Sequence, residues 1–100
     1  MPRKEDRHSY LREVELEFAS GKRTARISDI SPGGCYIDTI AQAAVGEPIT
    51  LVISSSFGES MQLTGRVAYI LEGFGFGVEF IEVTPNQREF LDRLLAAATG

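Results

Sequence analysis

Between Tyr10 and Phe18 the chain reads YLREVELEF, with Val14, Leu16 and Phe18 alternating against Glu13, Glu15 and Glu17. A period of two residues puts the apolar side chains on one face and the carboxylates on the other, which defines a half-buried strand. Ser20-Gly21 supplies a turn, and Lys22–Ile30 reads as the returning strand of a hairpin. Its alternation is only approximate: Thr24, Arg26 and Ser28 stand against Ala25, Ile27 and the neighbouring Ile30. Ser31-Pro32-Gly33-Gly34 then breaks the ladder, because proline donates no hydrogen bond and adjacent glycines admit positive φ. Short apolar runs follow closely: Cys35–Ile37, Ile49–Ser54 after a Gly46-Glu47-Pro48 turn, and, beyond a polar Ser55–Ser60 loop, Met61–Leu71 and Phe74–Ile81 joined around Glu72-Gly73.

Six short antiparallel strands in so small a chain favour a closed or split barrel, since closure removes edges that would pair with other chains. Gly65, Gly75 and Gly77, inside strand patterns, suit the bends and bulges of such a barrel. The period changes at the end of the chain. Thr84-Pro85-Asn86-Gln87 offers a capping threonine, a proline at the first helical position and a glutamine three residues after the cap. Phe90, Leu91, Leu94, Leu95 and Ala98 then form one apolar stripe. The expected fold class is all-β with one C-terminal helix: a six-stranded antiparallel β-barrel, closed or split, over residues 10–100, with the helix at about 85–98 closing one mouth or side. Residues 1–9, almost without apolar side chains, are expected to be a flexible arm.

Charge narrows the function. The chain carries −4 overall, which argues against a nucleic-acid polymer or an anionic lipid surface as partner. The charge is uneven, however: seven of the ten Lys and Arg residues and only five acids fall within the first 26 positions, making that segment +2. An anionic partner would meet the chain there; the ordinary reading is a charge cluster that keeps the terminus solvated. No apolar run approaches the roughly 20 residues of a membrane helix. The charged start, MPRKED, lacks the apolar core of a secretory signal. A lone Cys35 makes no internal disulfide, so the expected setting is the cytoplasm, without membrane insertion.

Catalytic inventory is poor. His8 is the only imidazole and Cys35 the only thiol, and no HExxH, GxSxG or paired-cysteine spacing occurs, so neither an enzyme nor a metal site is expected. His8 reads as a surface or interface residue and Cys35 as a small buried apolar one. GFGFG at Gly73–Gly77 has no following Lys-Ser/Thr and no following helix, and reads as a glycine-bent strand rather than a phosphate loop. Two constellations remain. Arg3 and Arg7 stand four apart ahead of the first strand, so two guanidinium forks can converge on one ligand, bonding phosphate or the guanine edge or stacking on a purine. Asp29-Ile30-Ser31-Pro32-Gly33-Gly34 ends a strand: its carboxylate can accept from guanine N1 and N2, its serine hydroxyl can serve phosphate or carbonyl, and its glycine admits close backbone approach. Each has an ordinary reading as well, chance spacing for the first and an Asx-type turn for the second.

Taken in order, RxxxR at Arg3 and Arg7, a hairpin of about twenty residues, and DxSxxG at Asp29, Ser31 and Gly34 resemble the PilZ domain family, whose members bind the bacterial second messenger cyclic di-GMP. GGCYIDT, VGEPITLVI, GRVAYI, GFGVEF and TPNQREFLDRLL are similar to the successive family segments that follow. The resemblance implies a stand-alone, single-domain receptor or adaptor in which Arg3 and Arg7 clamp guanine and phosphate, while Asp29, Ser31 and Gly34 hold the second guanine and its flanking phosphate. It implies no cofactor beyond the ligand cyclic di-GMP, a downstream effector protein as partner, and a monomer or homodimer. The arm would change conformation on ligand binding and so signal to that partner. The alternative within the family is an adaptor that does not bind cyclic di-GMP. Tyr69 sits where some members carry an aromatic near the guanine, with barrel packing as its competing reading; Arg26 can reach the same surface, with a solvated strand face as its own.

Overall fold

The computed structural model describes residues 8–18, 21–40, 42–55 and 58–99. Six strands, β1 (His8–Phe18), β2 (Gly21–Ser31), β3 (Gly34–Asp38), β4 (Pro48–Ser54), β5 (Ser60–Leu71) and β6 (Gly75–Ile81), precede one helix, α1 (Pro85–Thr99). All neighbouring strands are antiparallel, and the order β1-β2-β3-β6-β5-β4 closes on itself through β1 and β4, so the barrel is closed rather than split. Strand β1 begins two residues ahead of the expected Tyr10, with His8 and Ser9 pairing to Ile30 and Asp29. Ser20, half of the expected first turn, lies outside the described residues.

The alternation in β1 does what its sequence requires: Val14, Leu16 and Phe18 are buried and Glu13, Glu15 and Glu17 exposed. They join Ile27, Ile30, Ile37, Leu51, Ile53, Leu63, Val67, Phe76, Val78 and Phe80 in one continuous core, with the Phe18 and Phe76 rings edge to face at 6.1 Å. Each such side chain contributes about 1.5–3 kcal/mol by leaving water. Cys35 lies within this core. Glycine is required where strands approach most closely: a Cβ on Gly34 would overlap the Val78 carbonyl, and one on Gly65 would fall 2.5 Å from Val78 Cγ1.

The helix starts on its expected cap. Gln87 N–H donates to Thr84 Oγ1 at 3.2 Å while Thr84 N–H donates to Gln87 Oε1 at 2.9 Å, so two otherwise orphaned donors are satisfied reciprocally. Phe90, Leu91 and Leu94 enter the core and Leu95 packs against it. Gln87 Nε2 donates to the Gln62 carbonyl at 2.8 Å and Arg93 pairs with Glu59 at 2.7 Å, tying α1 to β5 and to the loop before it. Because Phe90 is wholly buried, Phe90→Ala should cost about 3–5 kcal/mol. Thr84→Ala, which removes only the cap, should cost about 1 kcal/mol. Urea denaturation of both variants checks the ranking, and equal losses would contradict it.

Candidate functional site

Strict alternation allows a strand to bury residues two apart, yet β2 buries Ile27 and Ile30, three apart. An extra residue resolves the conflict. Ile27 pairs with Ile37 and Asp29 with Tyr36, so Ser28 has no counterpart on β3 and forms a bulge. On the other side β1 is irregular at the same level, between Ser9 and Arg12. Without the bulge, Asp29 would share the inward phase of Ile27; with it, the carboxylate turns to the outer surface while Ile30 returns to the core.

Strand β5 repeats the device. Val67 pairs with Val78 and Tyr69 with Gly77, leaving Ala68 as the extra residue. Tyr69 is thereby turned outward and is 39% exposed, although it stands two residues from buried Val67. Its ring lies directly over Gly77, where a Cβ would overlap it, so this glycine is needed for side-chain contact across strands rather than for its backbone angles. Tyr36, flanked by buried Cys35 and Ile37, is also on the outer face, and its ring stacks on that of Tyr69 with centroids 6.3 Å apart and planes 25° apart. Pairing therefore aligns Asp29, Tyr36, Gly77 and Tyr69 in one lateral row across β2, β3, β6 and β5.

The DxSxxG turn lies just beyond this row. Ser31 is buried, and its hydroxyl donates to the Gly34 carbonyl at 3.4 Å, closing the turn on itself. Phe80 N–H donates to the Gly33 carbonyl at 2.9 Å, and Arg88 Nη1 to the Pro32 carbonyl at 3.3 Å, so β6 and α1 both anchor the loop. An open depression of about 330 Å³ separates the turn from Tyr69, bounded by Ser31, Gly33, Gly34, Tyr69, Gly77 and Glu79. Ser31, Gly34 and Tyr69 line this depression together, while Asp29 stands in the row next to Tyr36 and is not among the lining residues. Arg3 and Arg7 lie outside the described residues. Arg26 is exposed and stands in register between Glu13 and Asp38, which suits a paired outer strand face.

Sequence reasoning did not single out Tyr36. Its signal was present, because an aromatic between two core residues of a strand must face outward, but its ring partner follows only from the two registers that join β3 to β6 and β6 to β5. The Tyr36 hydroxyl is buried and has no hydrogen-bond partner among the described residues. Burial pushes its phenol up from the ordinary 10.0, and the charges of Asp38, Tyr69 and Asp29 act in the same direction. Tyr36 is therefore neutral at physiological pH. A raised pKa in the folded state means that the unfolded chain loses this proton more readily, so the folded state should lose stability as pH climbs above about 10. Ultraviolet titration should show a tyrosine step later than that of a free phenol, and Tyr36→Phe should abolish that late step. A late step unchanged by the substitution would contradict this reading.

The described residues thus form a small closed antiparallel barrel with one C-terminal helix, on whose outer face stacked aromatics lie beside the DxSxxG turn. The chain matches the PilZ domain model over residues 2–97 and belongs to the PilZ domain family. Among solved structures, the fold is shared with the PilZ domain of CeSA from a cellulose-synthesizing bacterium, at TM-score 0.74 and 22% identity over 95% of this chain and 99% of that one. It is shared with the PilZ domain of YcgR from Escherichia coli with c-di-GMP, at TM-score 0.78 and 16% identity over 99% and 92%. The Bacillus subtilis inhibitor of motility, MotI/DgrA, gives 0.80 and 16% over 99% of this chain and 50% of that one. At such identities the likeness is one of fold. No curated protein matches the chain by sequence.

Proposed function

We propose that the domain is a cyclic di-GMP receptor whose ligand lies on the outer barrel surface along the Asp29–Tyr69 row. The observation that supports this best is the outward turn of Asp29 at the Ser28 bulge, which sets a carboxylate in one row with the stacked Tyr36 and Tyr69 rings, two residues before Ser31 of the DxSxxG turn. A carboxylate accepts from guanine N1 and N2, and aromatic faces suit a purine. In this reading Asp29, Ser31 and Gly34 hold one guanine and its flanking phosphate, and Arg3 and Arg7 clamp the other guanine and phosphate through their planar forks. The solved complex of the YcgR PilZ domain with c-di-GMP lends weight by family membership.

Two phosphates neutralise the arginines, and ligand binding changes the conformation of residues 1–7, the part of the expected arm ahead of β1, against the barrel, altering the surface offered to an effector protein. The domain acts as a receptor or adaptor in the cytoplasm, not as an enzyme. Among the described residues no helix is long and apolar enough to cross a membrane.

Calorimetric titration tests the reading. Cyclic di-GMP should bind the wild type and outcompete its linear dinucleotide, and Arg7→Ala and Asp29→Ala should each weaken binding by about tenfold or more, one charge-assisted contact being lost in each. Wild-type affinity retained in both variants would refute the site. No binding by the wild type would instead favour an adaptor that works without the nucleotide.

A further inference from the structure

Closure of the barrel does not cover the whole length of β5. Strand β4 pairs with it from Ser60 to Arg66, and the chain just ahead of β4 carries the pairing one residue further: Gly46 N–H donates to the Val67 carbonyl at 2.7 Å and Val67 N–H to the Glu47 carbonyl at 3.0 Å. There the neighbouring chain turns away. Glu47 N–H donates to the Ala44 carbonyl at 3.0 Å, Ala44 N–H donates to the Glu47 carboxylate at 3.0 Å, and Gly46 takes φ +89°, so the turn is closed on itself. Tyr69, Ile70 and Leu71 stay paired to Gly77, Phe76 and Gly75 on one side, while Ala68–Leu71 have no strand partner on the other. At the rise of an extended chain this leaves about 13 Å of open edge.

An open edge is a template for pairing, and proteins commonly guard it with lysine or proline. Ala-Tyr-Ile-Leu at 68–71 contains neither, and Tyr69 and Ile70 favour the extended state. The space beside this edge is open as well: a cleft of about 470 Å³, mostly polar, separates Ile70, Leu71 and Glu72 from Thr39, Ile40 and Gln42. Thr39 N–H donates to the Phe74 carbonyl at 3.2 Å, which fixes the start of the far wall. A polar cleft beside unpaired backbone suits main-chain hydrogen bonding by an entering strand. Charge selects its occupant. Glu72 is the one charged residue lining the cleft, and exposed Asp38, across from Arg26, stands in register with Gly75 at its border. From residue 27 onward nine acids oppose three cations. Those cations stand elsewhere: Arg93 on Glu59, Arg88 at the Pro32 carbonyl and Arg66 opposite Glu79. A second copy of the chain would set one acidic face against another, whereas a segment bearing Lys or Arg is attracted to Glu72.

We infer that the outer edge of β5 at Ala68–Leu71 is a docking strip for an extended, basic segment of a partner protein, which adds to the sheet through main-chain hydrogen bonds and sets a Lys or Arg opposite Glu72. The strip does not rest on the nucleotide reading, and its test uses no nucleotide. The probes are three acetylated and amidated hexapeptides, titrated into isotope-labelled full chain. One alternates lysine with valine, one alternates glutamate with valine, and the third is the lysine peptide N-methylated at its central residues, which keeps the charge and removes the donors. The lysine peptide should shift the amides of residues 39–43 and 68–73, slow hydrogen exchange within residues 68–71, and bind at least about tenfold more tightly than the glutamate peptide. N-methylation should weaken it by about tenfold or more, two or three backbone bonds being lost. Leu71→Lys, at a position 50% exposed, puts on the edge the kind of charge that guards such edges elsewhere. It should keep the wild-type melting temperature and weaken the lysine peptide by about tenfold. Glu72→Lys should narrow the preference between the lysine and glutamate peptides. Equal binding of those two peptides, undiminished binding after N-methylation, or no shift in residues 68–73 at millimolar lysine peptide would overturn the proposal. Sedimentation showing that the wild type dimerises and Leu71→Lys does not would overturn it too, assigning the edge to a second copy.

Discussion

A strand cannot change which face it presents without gaining or losing a residue, and this constraint organises both the core and the candidate site. Ile27 and Ile30 both belong to the core, yet their spacing of three is incompatible with strict alternation. The bulge at Ser28 reconciles them, and its by-product is an acidic side chain on the outer surface. The bulge at Ala68 does the same for Val67 and Tyr69. The outer row exists because the interior had to be filled.

The row is supported from behind by parts whose sequence roles look unrelated to it. Gly77 leaves room for the Tyr69 ring, and Gly34 lets β3 press against β6. The helix that completes the core also reaches the Pro32 carbonyl through Arg88. The turn carrying Ser31 and Gly34 is therefore a well-anchored element.

Much of this was legible in the residues. The VELEF alternation marked β1 and its buried side, and Thr84 with Gln87 marked the helix start, because each rests on local geometry with a short repeat. Asp29, Ser31 and Gly34 were legible as a group through their spacing and the hairpin before them. The bulges were visible only as imperfect alternation around Ser28, since an extra residue is defined by the partner strand and not by the strand that carries it. The stacking of Tyr36 on Tyr69 was less legible still: it depends on the registers of β3, β6 and β5 together, which no local pattern encodes. Closure of the barrel was open for the same reason, being decided by β1 meeting β4.

The most direct measurement of the central claim is the set of nuclear Overhauser contacts between the guanine protons of cyclic di-GMP and the isotope-labelled protein. The account predicts contacts to the ring protons of Tyr36 or Tyr69, with amide shifts concentrated in residues 28–36, 68–70 and 76–78. Saturating ligand that touches neither ring and shifts chiefly the opposite end of the barrel, residues 39–43 and 71–75, would contradict it.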